Sequence, residues 1–184
     1  MRKRHQARYS GEGESGVQLT VVYIHHNCFI LQGLGETLVF DFPDPSHLNP
    51  EQISLARSLV RGSNLCVFAS HSHADHFTPA VAGLAALASR ARFVLSDDVA
   101  QMHPDFEPGE SEFEIHFIEP DQEIEVGEMS ILGLESTDLG VGFLIRTRGA
   151  VIWFGGMSRS GSGTARTRPR KNSPGTIFLT PLIS

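Results

Sequence analysis

Only two cysteines, Cys28 and Cys66, occur in 184 residues, which excludes a disulfide framework. Both lie in apolar, strand-like segments, so reduced, packed thiols and a cytoplasmic location are expected. No apolar run approaches the roughly 18 residues that a membrane-spanning helix needs, and no membrane association is expected. The basic opening Met1-Arg2-Lys3-Arg4-His5 is followed by no apolar stretch, so it does not read as a secretory signal. The net charge of −6 gives no general attraction to nucleic acid. Acidic residues stop at Asp138 and histidines stop at His116. Any site that draws on carboxylates or imidazoles must therefore take them from the earlier part of the chain.

What is present is concentrated in Ala69-Ser70-His71-Ser72-His73-Ala74-Asp75-His76-Phe77. Leu65 to Ala69, directly before it, is a short apolar run that reads as a buried strand. Thr78-Pro79, directly after it, reads as a helix start over Pro79 to Ser89. A ligand site where a strand hands over to a helix is the usual arrangement in α/β folds. Imidazole nitrogens and a carboxylate oxygen suit a divalent ion such as zinc, at about 2.0–2.2 Å per bond. His71 and His73 are two apart and point the same way in extended backbone, whereas Asp75 and His76 follow a turn. One loop can then serve two adjacent ions, His71 and His73 on the first, Asp75 and His76 on the second, clamping a hydroxide. The bland alternative is a His-rich solvated loop.

The segment His71 to His76 resembles the HxHxDH signature of the metallo-β-lactamase fold superfamily. Tyr23 to Leu31 and Thr37 to Asp41 resemble its opening hairpin, and the similarity runs from about Val17 to Gly156. The closest resemblance is to the lactonase-like, metal-dependent hydrolase branch. It implies an α+β fold, a four-layer αββα sandwich, incomplete at the C-terminal end. Composition alone supports only a mixed α and β chain. The resemblance also implies one or two zinc ions, with Mn2+ or Fe2+ as alternatives, held by His71, His73, Asp75 and His76. A small-molecule ester, lactone or phosphodiester substrate follows, with Asp75 taking part in proton transfer. Asp41 matches a buried aspartate that braces the metal loop; a strand-end Asp bonding its own turn is the alternative for it. His26 falls where the family places a polar residue close to the site; a structural role in the strand is the alternative for it.

The later landmarks depart from the pattern. The third first-site histidine is missing from Leu134 to Gly140. Glu135 and Asp138 stand there as oxygen donors, Asp138 preferred for its place beside Gly140; a simple Asp turn explains it equally. Ile152-Trp153-Phe154-Gly155-Gly156 aligns with the strand before the bridging aspartate, yet Met157 occupies that position. A neutral thioether does not replace a bridging carboxylate. The expected division is a basic leader over 1–16, the domain over 17–157 and a low-complexity basic tail over 158–184, with Thr176 to Ile183 offering an edge strand. A reading-frame shift just before Met157 would explain both the lost aspartate and the change in composition. Three functions stand open: a metal-dependent hydrolase, a metal-binding remnant without turnover, and a non-enzymatic binding module. Oligomeric state and substrate are not legible.

Overall fold

The computed structural model describes residues 19–108, 113–136, 139–147, 149–155 and 176–179. The first sheet comprises β1 (Thr20–His25), β2 (Cys28–Gly33), β3 (Glu36–Phe40), β4 (Asn64–Ala69), β5 (Arg90–Ser96) and β6 (Glu114–Ile118), hydrogen-bonded in that order. The second comprises β7 (Glu123–Val126), β8 (Met129–Glu135), β9 (Val141–Thr147), β10 (Ala150–Phe154) and β11 (Thr176–Leu179), also in sequence order. β1 to β3 run antiparallel, and β3 to β6 are mutually parallel.

Residue alternation along β4 shows how the layers form. Cys66 and Phe68 face the core between the sheets, packed with Phe40, Phe143, Ile145 and Phe154. Leu65, Val67 and Ala69 face the opposite side, with Val39, Phe93, Ala56 and Val60. A strand buried on both faces reads as one apolar run, which is why Leu65 to Ala69 carries no polar alternation. The two cysteines fall on opposite faces of the first sheet, Cys28 outside and Cys66 inside, and both are free.

Three helices cover the outer face of the first sheet: α1 (Pro50–Val60), α2 (Val81–Ala85) and α3 (Asp97–Met102). Asn49 accepts from the Gln52 N–H and the Gln52 side chain accepts from the Asn49 N–H, both at 2.9 Å, a capping box with Pro50 in the first turn. α2 is shorter than the helix expected over Pro79 to Ser89. Val81, Ala82 and Gly83 donate to carbonyls three residues back, as do Leu87 and Ala88 at the other end. The flanks therefore wind tighter than an α-helix, and Ala80, not Thr78, occupies the cap position.

The result is the α+β sandwich expected, with helices on one sheet among the described residues. β11 is an edge strand, parallel to β10. No helix among the described residues is long and apolar enough to cross a membrane. Met157, Asp138 and the tail over 158–174 lie outside the described residues, as does the leader.

Candidate metal centre

Two adjacent strand ends build the site. β3 ends at Asp41 and β4 ends at Ser70, at the carboxyl edge of the parallel part of the sheet, where loops diverge and leave a crevice. Asp41 has φ +46°, a left-handed backbone that Asp tolerates better than most residues. Its side chain is fully buried and bonds nothing in its own turn. Oδ1 accepts from the Ser70 N–H at 2.7 Å. Oδ2 accepts from Ser70 Oγ at 2.8 Å, from Asn27 Nδ2 at 2.7 Å and from His76 Nδ1 at 2.6 Å. One carboxylate thus ties the β1–β2 turn, the end of β4 and the far end of the histidine loop together.

The loop over 70–77 is clamped from other sides as well. The Asp44 N–H donates to the Ala74 carbonyl and the Ser72 N–H donates to Asp98 Oδ2, each at 2.8 Å. The His76 and Phe77 N–H groups both donate to the His73 carbonyl. From the second sheet, the Val141 N–H donates to the Ser70 carbonyl at 2.8 Å. Gly140, φ +85°, comes so close that a Cβ there would collide with that carbonyl, His71 Cβ and Ser96 Oγ. Phe77 packs edge-on to His103 and Phe106, each with centroids 5.1 Å away. His103 and His116 are both half-buried, His116 on Glu114.

The loop gathers its imidazoles. The His71 ring lies 3.9 Å from that of His76 and 4.7 Å from that of His73, centroid to centroid. His71 and His76 are buried and His73 is exposed. Ser70 Oγ is 3.1 Å from His71 Nδ1. Among the described residues, the set of three ligating atoms lying within 4.8 Å of one another comes from His26, Asp75 and His76. His26 Nε2 is 3.4 Å and His76 Nε2 3.6 Å from Asp75 Oδ2. Burial acts to raise the Asp75 pKa. The positive neighbourhood of His76, a backbone N–H, and His26 and His71 more than offset it, leaving the carboxyl below its ordinary range. Glu135 is exposed at the end of β8.

A comparison with protein families matches residues 20–160 to the β-lactamase superfamily domain. The chain belongs to this family. Solved structures with the metallo-β-lactamase fold agree. A Parabacteroides distasonis protein designated a metal-dependent hydrolase superposes with a TM-score of 0.59 at 14% identity, over 83% of this chain and 66% of its own. Igni18, a metallo hydrolase from Ignicoccus hospitalis, gives 0.55 at 14% identity, over 75% and 60%. CmlA, a diiron β-hydroxylase from Streptomyces venezuelae, gives 0.50 at 16%, over 75% and 28%. This chain therefore spans less than two thirds of the length of these structures. A search of the curated proteins finds no significant match.

The donor set fits the divalent metal ion that this superfamily fold implies. Because a carboxylate oxygen only accepts, the 2.6 Å contact to Asp41 puts the His76 proton on Nδ1. Nε2, on the other side of the ring, lies 3.6 Å from Asp75 Oδ2. A carboxylate behind a ligating imidazole is the usual orienting arrangement in metal sites. Sequence reasoning did not single out Asn27, Ser70 or Asp98, which complete the clamp. Their contacts join residues 14–29 positions apart in sequence, and nothing in local spacing announces them.

Proposed function

We propose that the protein is a metal-dependent hydrolase whose divalent ion is held through the loop His71, His73, Asp75 and His76. The observation that carries this reading is the buried Asp41–His76 contact, which holds the ring by Nδ1 and turns Nε2 toward Asp75. His76 and His71 bind from the buried wall of the crevice. Asp75, with a side chain 44% exposed, faces the open side. Asp41 holds the His76 ring from behind and Asp98 holds the Ser72 backbone. When bound, the ion supplies Lewis acidity and a water acidic enough to attack at neutral pH. Asp75 is assigned to accept a proton from the attacking water. An ester, lactone or phosphodiester is the substrate class proposed. Zn2+ is the first choice of ion and Fe2+ or Mn2+ the alternatives, since His/Asp sets accept all three.

Elemental analysis of the purified chain, beside a screen of esters, lactones and phosphodiesters, tests the reading. Stoichiometric metal with turnover, both lost in Asp75→Ala/His76→Ala, is the expected result. A second reading, metal binding without turnover, is favoured by the absence of Asp and Glu after Asp138 and of His after His116. Metal in the purified protein with no hydrolysis across the screen would select it.

A further inference from the structure

His26 occupies a position that local backbone preference argues against. It opens the two-residue turn between β1 and β2, closed by the His25–Cys28 pair, and its φ is +46°. Glycine and asparagine are favoured at such a position, and a side chain there costs energy that surrounding contacts must offset. Its neighbour Asn27 is locked to Asp41 at 2.7 Å, which fixes the direction in which the turn projects. His26 Nε2 is shielded from solvent and has no hydrogen-bond partner, although the side chain as a whole is 38% exposed. A shielded imidazole nitrogen facing a carboxylate without bonding it requires an explanation.

The distances supply one. A good N–H···O bond spans about 2.7–3.2 Å, and the contacts of 3.4 and 3.6 Å from Asp75 Oδ2 to His26 Nε2 and His76 Nε2 are longer. Ligands bound at about 2.0–2.2 Å around a tetrahedral ion stand about 3.3–3.6 Å from one another. Asp75 Oδ2 stands from each imidazole nitrogen at the spacing of two ligands on one cation, and the three donors lie within 4.8 Å of one another.

The geometry points to His26 as a metal ligand, which with Asp75 and His76 forms a one-ion site of two histidines and one carboxylate. This rests on the metal-binding reading above and specifies which side chains complete it. The β1–β2 turn then supplies a ligand to a chain that lacks histidines after His116. Three protein ligands leave at least one position open, and it lies on the side where His26 and Asp75 are partly exposed. His71, its ring 3.9 Å from that of His76, and His73 stand on the other side of His76 as donors to an adjacent ion of the same loop.

Titration of the full-length, metal-stripped protein with Co2+, followed by visible absorption and calorimetry, tests this. Wild type is expected to take up one Co2+ at this site with tetrahedral ligand-field bands. His26→Gln and His26→Gly are expected to weaken binding by more than about 100-fold, beyond the roughly 10–100-fold lost with a merely orienting partner, and to shift the bands. His26→Gly also relaxes the turn, so its thermal stability without metal should be no lower than wild type, which separates ligation from folding. His116→Gln should bind like wild type. Unchanged affinity and spectrum in both His26 variants, with binding abolished by His73→Ala, would overturn the assignment while leaving a metal site on the loop. Failure of the wild-type chain to take up Co2+ would overturn both the assignment and the reading beneath it.

Discussion

Asp41 Oδ2 and His76 Nδ1 lie 2.6 Å apart, with both side chains at most 1% exposed. The residues are 35 positions apart in the chain and meet because β3 and β4 are parallel neighbours whose ends open onto one crevice. Removing the carboxylate strands four donors at once, from Asn27, Ser70 and His76. Asp41→Ala is expected to cost about 3–5 kcal/mol, since each buried donor left unpaired costs about 1–3 kcal/mol and part of the loss is recovered by relaxation. Asp41→Asn retains shape and the left-handed backbone but turns an amide donor toward other donors, and should cost about 1–3 kcal/mol. Urea unfolding midpoints check the order. Equal stability of Asp41→Ala and wild type would show that the contact carries no weight.

Gly140 should tolerate no side chain. Its left-handed φ resembles that of Gly35, but a Cβ on Gly35 meets nothing within 4 Å, whereas one on Gly140 meets the Ser70 carbonyl. Gly35→Ala should lose only the backbone preference, about 1 kcal/mol. Gly140→Ala should lose more and pull β9 off the histidine loop. Thermal melts of the two variants side by side measure the difference, and indistinguishable melts would count against this packing.

The thiols of Cys28 and Cys66 should resist aromatic disulfide reagents at pH 8 until the chain unfolds. Burial pushes both pKa values up; Asp41 adds to the rise at Cys28, and at Cys66 Arg92 opposes burial without cancelling it. Because the folded values exceed the unfolded one, near 8.5, folding favours the neutral thiol. That contribution is complete below about pH 8 and is lost as pH rises further. Stability should therefore fall between about pH 8 and 10, less steeply in a Cys28→Ala/Cys66→Ala chain. Stoichiometric labelling of the native protein within minutes would contradict it.

Phe40 joins the two sheets. Its ring stacks on Phe68 at 4.9 Å within the first sheet and on Phe154 at 4.7 Å across the interface. Phe40→Ala should cost about 3–5 kcal/mol, as aromatic truncations in packed cores do. Chemical denaturation gives the value, and a loss under 1 kcal/mol would mean that the intersheet core repacks freely.

The strand pattern was legible because it is local. The apolar run Leu65 to Ala69 marks β4 to within one residue, and Thr176 opens β11 where the edge strand is expected. α2 was misjudged for a related reason: Thr-Pro followed by Ala and Leu carries every helix signal. Those signals were overruled by a loop already tied to Asp44 and by tight turns on either side of five helical residues.

The sequence by itself determined that the chain would bury two faces of one sheet, keep its cysteines reduced and crowd imidazoles onto one loop. Those properties follow from side-chain alternation, composition and spacing over a few residues. Which groups converge was decided only by tertiary structure. His26 meets Asp75, and Asp41 reaches His76, because parallel pairing of β3 with β4 carries distant turns to one edge. The 2.6 Å contact to Asp41 then orients one imidazole, a direction that no linear spacing encodes.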